Sequence, residues 1–443
     1  RSYSVTGVQT CALPICVLWG RFILGTNPAI GEMMGIAIGY AIGTYIDDFI
    51  TMGISMRYLN KVLTPFGYSI KDAIIPSVDR DVWVSSLKFG LQLSPPQILS
   101  AVIGFATFFW WYDMVPAYAT LLVLNATADQ LANFLKRGGG IYLKPTLSES
   151  LNNNKKELSH FYIAMSFKFA FISIFGVGVI LYAFMPIILE MFLTETGIEN
   201  WLLAIAFITP NIIATTIEGP SNIVNYVILG GNRPSWYSFT EILKTILNFG
   251  VDILLLFVLR WPQEMGIQGL IWLIPLKSFP INVFMFLLNI GYINRNLVKI
   301  RFRQFAWQTW GAPILAACGV AAVAFSWFAW VSPPLSAATG PYPTAIITLI
   351  VGFLCLLWVF FPLYTAFGGW DVYNINVFHE AVEISGPSRF LFRPIDIANR
   401  LLVKSPLHNR FAIPWEQADQ EADELMKIQF VKKKLNNFLK ANA

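Results

Sequence analysis

From residue 30 to residue 367 the chain alternates long apolar runs with short polar loops, and the runs have the length of membrane spans. A hydrocarbon layer about 30 Å thick takes roughly 20 helical residues, and about nine stretches reach that length. They are 30–55, 86–110, 115–135, 165–190, 201–229, 236–259, 266–292, 305–330 and 342–367. Charge gives them a direction. Lys and Arg gather in loops 56–88 (Arg57, Lys61, Lys71, Arg80, Lys88), 136–156 (Lys136, Arg137, Lys144, Lys155, Lys156), 230–235 (Arg233) and 293–303 (Arg295, Lys299, Arg301, Arg303). The intervening loops, WYDMVP, TETGIEN, RWPQEM and VSPPLSAATGPYP, are nearly free of both. The excess of positive charge predicts a cytoplasmic side for the first set and for the carboxyl terminus, with 192–200 and 331–341 external. Trp110, Trp111, Tyr112, Trp201, Trp261 and Trp330 are predicted interfacial anchors.

Composition supports an all-α integral membrane protein of the cell membrane: 56% hydrophobic and 13% charged residues are far from an ordinary soluble domain. A net charge of +5 is explained by basic loops beside an anionic leaflet, and predicts membrane lipids rather than nucleic acid as the partner. Of the four cysteines, Cys318 and Cys355 fall inside spans, while Cys11 and Cys16 fall in a segment without helical period, so no disulfide framework is expected. That segment, 1–16, resembles translated sequencing-adapter read-through and not a signal peptide. On that expectation a native protein would begin upstream.

Two stretches carry a family resemblance. KRGGG leads into IYLKPTLSESLNNNKKELSHFYIAMSFKFAF, a basic Gly-rich turn and a polar connector running into a span; later come ILGGNRPSWYSFTEILKTILNFGVDILLLFVL and GIQGLIWLIPLKSF. Over roughly 25–370 this order resembles the multidrug, oligosaccharidyl-lipid and polysaccharide exporter superfamily, most closely its oligosaccharide and polysaccharide flippases. The resemblance implies fourteen helices in two lobes and a final pair. Here that would leave 17–60 as the last helix of a truncated first lobe, 61–85 as the loop between lobes, 86–303 as a six-helix second lobe, 304–369 as the final pair and 370–443 as a cytoplasmic tail. It also implies lobes rocking about a cation-lined cavity, with a polyprenyl-phosphate-linked glycan as cargo and glycan-assembly enzymes as further partners.

Ionisable groups inside a bilayer cost several kcal/mol and usually face a cavity or a partner. Asp129, Lys168, Glu218, Glu241, Lys244, Asp252 and Lys277 lie in the proposed lobe, whereas 305–330 and 342–367 have no charged residue. Lys277, between Pro275 and Pro280, either holds an anionic headgroup or pairs with a carboxylate such as Asp252. Glu218, in a span interrupted by Pro210 and Pro220, is placed either for a coupling ion, H+ or Na+, or for a pair with Lys244 or Lys168. Asp47 and Asp48 are read alike, one toward the cavity and the other toward a partner helix. Glu241 and Lys244, three residues apart, are read first as a pair.

Chemistry beyond transport finds little. Asp79-Arg80-Asp81 imitates the D-x-D of glycosyltransferases without a nucleotide-binding domain around it, and the more economical expectation is a loop that caps the next helix. His160, His379 and His408 have no metal-ligand spacing, and no nucleophile motif or phosphate loop occurs, so neither an enzyme nor a cofactor is expected. The last segment is acidic first and basic last, and Leu425, Ile428, Val431, Leu435 and Phe438 recur at helical spacing. It is expected to lie on the membrane, cover the cytoplasmic mouth or stand free in solvent. The function expected is flipping of a lipid-linked oligosaccharide. A multidrug antiporter, a membrane glycosyltransferase or polymerase, and a non-transporting scaffold are the rivals.

Overall fold

The structure, a computed structural model, describes residues 15–16, 18–28, 31–64, 80–136, 143–188 and 202–441. Among them every regular element is a helix. The chain divides into two compact units at Lys88 and Phe89.

In the first unit, helix α1 (Gly31–Leu63) packs against a π-helical turn, Gly20–Leu24. Glycines make the approach possible. A Cβ on Gly20 would stand 2.2 Å from the Gly35 carbonyl oxygen, and one on Gly35 would stand 2.4 Å from that of Gly20, so only hydrogen fits at this crossing. Because α1 continues to Leu63, Arg57 and Lys61 are helical and not in the expected loop. Asp47 is buried and Asp48 exposed on α1.

The second unit carries the longer helices: α2 (Arg80–Met114), which enters it from the first, α3 (Tyr118–Lys136), α4 (Leu143–Asn152), α5 (Lys156–Ile188), α6 (Ile208–Gly230), α7 (Pro234–Leu259), α8 (Gly266–Leu276), α9 (Phe279–Asn296), α10 (Phe302–Thr339) and α11 (Pro341–Ala366). Three tail helices follow: α12 (Val372–Ile384), α13 (Arg389–Leu402) and α14 (Glu416–Ala441). Six of the helical runs, in α2, α5, α7, α8–α9, α10 and α11, are long and apolar enough to cross a membrane, which marks an α-helical membrane protein by length and composition. Of the nine expected spans, six meet this standard among the described residues. The other three expected spans do form helices, α1, α3 and α6, but each is diluted by polar residues: Asp47 and Asp48 in α1, Asn125 and Asp129 in α3, Asn211, Glu218 and Asn225 in α6.

The physical reason is plainest in α6. It packs against α3, α4, α5, α7, α8 and α9, and Ile213 is its one exposed residue. A helix sheathed by protein needs no apolar coat, because its polar groups find partners on its neighbours. Asn211 Nδ2 donates to Asn125 Oδ1 of α3 at 2.9 Å. The expected interruption of this span at Pro220 does not occur; α6 runs through it. Ser221 Oγ donates to the Ile217 carbonyl at 2.7 Å and Thr216 Oγ1 to that of Ile213 at 2.7 Å, local bonds of the kind that let a buried helix tolerate proline.

Three apolar clusters hold the second unit. One joins α4, α5, α6 and the tail residues Ile413, Ala418 and Leu425; a second joins the end of α2 to α3 and α8; a third joins the later half of α5 to α10, α11 and Trp370. The expected external loop 331–341 is mostly helical, since α10 runs to Thr339 before Gly340 (φ +86°) turns the chain into α11. Asp79 and the segments 137–142 and 192–200 lie outside the described residues, as does Trp201. Arg80 and Asp81 form the first turn of α2.

Candidate functional site

The break expected at Lys277 is present. Pro280 cannot donate its backbone nitrogen to a carbonyl of the preceding turn, and α8 ends at Leu276 while α9 begins at Phe279, leaving Lys277 and Ser278 at the interruption. Lys277 Nζ donates to Asp252 Oδ1 of α7 at 2.6 Å, and Trp111 Nε1 of α2 donates to the same oxygen at 3.0 Å. The ammonium also lies 4.5 Å from the centre of the Trp111 ring, within cation–π range. One carboxylate oxygen, one ammonium and one indole thus join three helices. The Asp252 side chain is 8% exposed and that of Lys277 23%, so the acid is enclosed and the base keeps an opening.

That opening gives onto a groove of about 410 Å³ whose walls are otherwise apolar, among them Val251, Leu255, Trp272, Leu273 and Pro280. The arrangement offers a cation at the edge of a surface suited to hydrocarbon. Trp111 was expected at the membrane interface; it is 1% exposed and packed in the second apolar cluster, because its indole N–H is needed by Asp252. In sequence it cannot be told from its neighbour Trp110.

The other predicted residues separate into different environments. Lys168 is fully buried on α5 and donates to Gln308 Oε1 at 2.6 Å, and Gln308 Nε2 passes the connection to Asp371 Oδ2 at 3.2 Å. Glu241 and Lys244 form no ion pair with one another. Glu241 Oε1 instead accepts from Asn225 Nδ2 at 3.1 Å, Asn225 Oδ1 accepts from Asn289 Nδ2 at 3.3 Å, and Asn289 Oδ1 accepts from Trp236 Nε1 at 3.0 Å. This chain of amides links α6, α7 and α9. Lys244 stands half-buried on α7, Glu218 half-buried on α6, and Asp129 half-buried on α3. The Lys277–Asp252 pair brings two of the predicted residues into direct contact.

Gln308, Asn225 and Asn289 are not singled out by the sequence, where neutral amides in apolar runs draw less attention than charges. Their signal was their position: an amide inside a span must find a partner. His160 Nε2 accepts the Arg301 backbone N–H at 3.1 Å, and the Arg301 guanidinium binds Glu157 in two-pronged fashion at 2.6 and 3.2 Å, which ties the α9–α10 loop to the start of α5. Among the described residues no group of His, Cys, Asp and Glu is placed to hold a metal ion. Compared with known protein families, curated proteins and solved structures, the chain matches no family model, no curated protein and no solved structure.

Proposed function

We propose that the chain belongs to a flippase that moves a polyprenyl-phosphate-linked oligosaccharide across the cell membrane, with a coupling ion, H+ or Na+, as its energy source and no catalytic chemistry of its own. The observation that supports this reading most is Lys277: an ammonium at a helix break, half open to an apolar groove, with its charge balanced by Asp252. A polyprenyl chain suits the groove, and an anionic phosphate suits a lysine that can exchange one carboxylate for another oxyanion. The ordered motifs from KRGGG to GIQGLIWLIPLKSF support the same class. Cytoplasmic placement of the carboxyl terminus belongs to this proposal too.

The 2.6 Å bond to Asp252 equally suits a purely structural pair, in which case removing the base strands a buried carboxylate. A glycan-export complementation assay beside a quantified membrane-expression blot distinguishes the two. The proposal expects Lys277→Ala to abolish export at near-normal expression. Should expression collapse, the charge-balanced Lys277→Ala, Asp252→Asn variant decides: restored expression without export retains the headgroup role, and restored export removes it.

A further inference from the structure

Helix α13, RFLFRPIDIANRLL, turns two polar residues into the protein beside Ile395: Asn399 is buried and its Oδ1 accepts from Thr365 Oγ1 at 3.0 Å, and buried Asp396 lies 2.9 Å through Oδ2 from His379 Nδ1. Three of its apolar residues point out. Phe390 is 79% exposed, Ile397 52% and Leu401 62%, and their spacing of seven and four places them on one stripe of the helix. A helix that keeps its amide and carboxylate for the protein and offers its apolar stripe outward is built for surroundings less polar than water.

Its depth is fixed by the bonds it makes. Thr365 and Ala366 are the last two residues of α11, and they meet α13 and its following turn through Asn399 and through Ser405 Oγ, which donates to the Ala366 carbonyl at 2.6 Å. The carboxyl end of the stripe, at Ile397 and Leu401, therefore sits beside the end of a membrane-length helix, where acyl chains give way to headgroups. Basic residues border it. Arg393 and Arg400 lie along one edge and Lys404 follows the carboxyl end. Arg400 is 3.4 Å from Asp396, whereas the side chains of Arg393 and Lys404 have no hydrogen-bond or ion-pair partner among the described residues; the Lys404 backbone N–H donates to the Leu401 carbonyl.

We propose that α13 is an interfacial helix that docks on an anionic lipid surface, with Phe390, Ile397 and Leu401 among the upper acyl chains and Arg393 and Lys404 on lipid phosphates. This depends on membrane embedding and not on the cargo. The experiment uses the full chain in vesicles of phosphatidylcholine with and without phosphatidylglycerol. Exposed Cys318 is replaced by Ala together with Cys11 and Cys16, buried Cys355 is kept, and a fluorophore is attached at Phe390→Cys, Ile397→Cys or Leu401→Cys. Nitroxide-bearing lipid is expected to quench all three roughly twofold, with little quenching by aqueous iodide. A label on exposed Glu380→Cys of α12 should behave in the opposite way. Arg393→Glu with Lys404→Glu should bring quenching in the anionic vesicles down to the level in neutral ones. Iodide quenching of the stripe would overturn the proposal, as would shielding from both quenchers, which would mean a protein partner or a second copy covers it; indifference to the charge reversal would overturn the anionic preference.

Discussion

Asp371 is where the tail and the helical bundle meet. It caps α12 by accepting the Asn374 backbone N–H at 2.9 Å, it accepts from Gln308, and the Ile413 N–H reaches it at 3.4 Å. Burial by itself would raise its pKa, yet the Lys168 ammonium and the bonds from Asn374 and Gln308 outweigh burial and hold the carboxyl below the ordinary carboxylate range. A carboxyl whose folded value lies below its unfolded value stabilises the fold at neutral pH and above the unfolded value of about 3.9. That contribution is lost as pH falls through the depressed folded value. Thermal unfolding in detergent from pH 7 to pH 3 should show the loss, and Asp371→Asn should flatten that part of the profile while lowering the unfolding temperature at pH 7. An identical slope in the variant would mean Asp371 is not the group responsible. Nothing near residue 371 in the sequence announces its role, because its partners Lys168 and Gln308 come from two other helices.

At the scale of elements, α14 uses its acidic residues twice. Glu416 and Asp419 lie in its own first turn, in the order a helix dipole favours. Glu421 accepts the Leu158 N–H in the first turn of α5 at 2.8 Å, and Glu424 pairs with Lys155 just before that helix, so the rest of the acidic run satisfies the amino end of another helix. Ala418 and Leu425 enter the first apolar cluster, which makes this half of α14 neither free in solvent nor laid on a membrane; the side chains of Val431, Leu435 and Phe438 are outside those described. Leu425→Ala should cost about 2–3 kcal/mol by the lost burial and the cavity left behind. Ile428→Ala, at an exposed position, should cost a small fraction of that. Limited proteolysis of the tail beside thermal unfolding checks both, and equal effects would deny the docked face. Proline teaches a related lesson: Pro275 and Pro280 flank a real break at Lys277, while Pro220 sits in unbroken helix, and the difference lies in whether neighbouring hydroxyls and packed helices support the chain.

For the molecule as a whole, sidedness is the open expectation with the sharpest test. Ser150 is buried and unsuited to labelling, but Thr146 of α4 and Ala337 near the end of α10 are exposed. In sealed cells, a membrane-impermeant thiol reagent should label Ala337→Cys and spare Thr146→Cys until the cells are opened; the reverse pattern would invert the orientation. Six spans, the helix ends at the Gly230–Pro234 turn and the break at Lys277 were all legible in the sequence, since each depends on chain-local properties: hydrophobic length, a missing amide hydrogen, a turn residue. Residue type and spacing also picked out the Lys277–Asp252 pair as one of two outcomes. Tertiary structure alone brought Lys277 to Asp252, showed that Trp111 joins the pair, that Lys168 belongs to a buried link with the tail, and that α6 is polar because it is enclosed. Local chemistry determines whether a segment can be a helix. Whether a charge on it is paired, sealed or open depends on groups brought from distant parts of the chain, and no local pattern encodes their meeting.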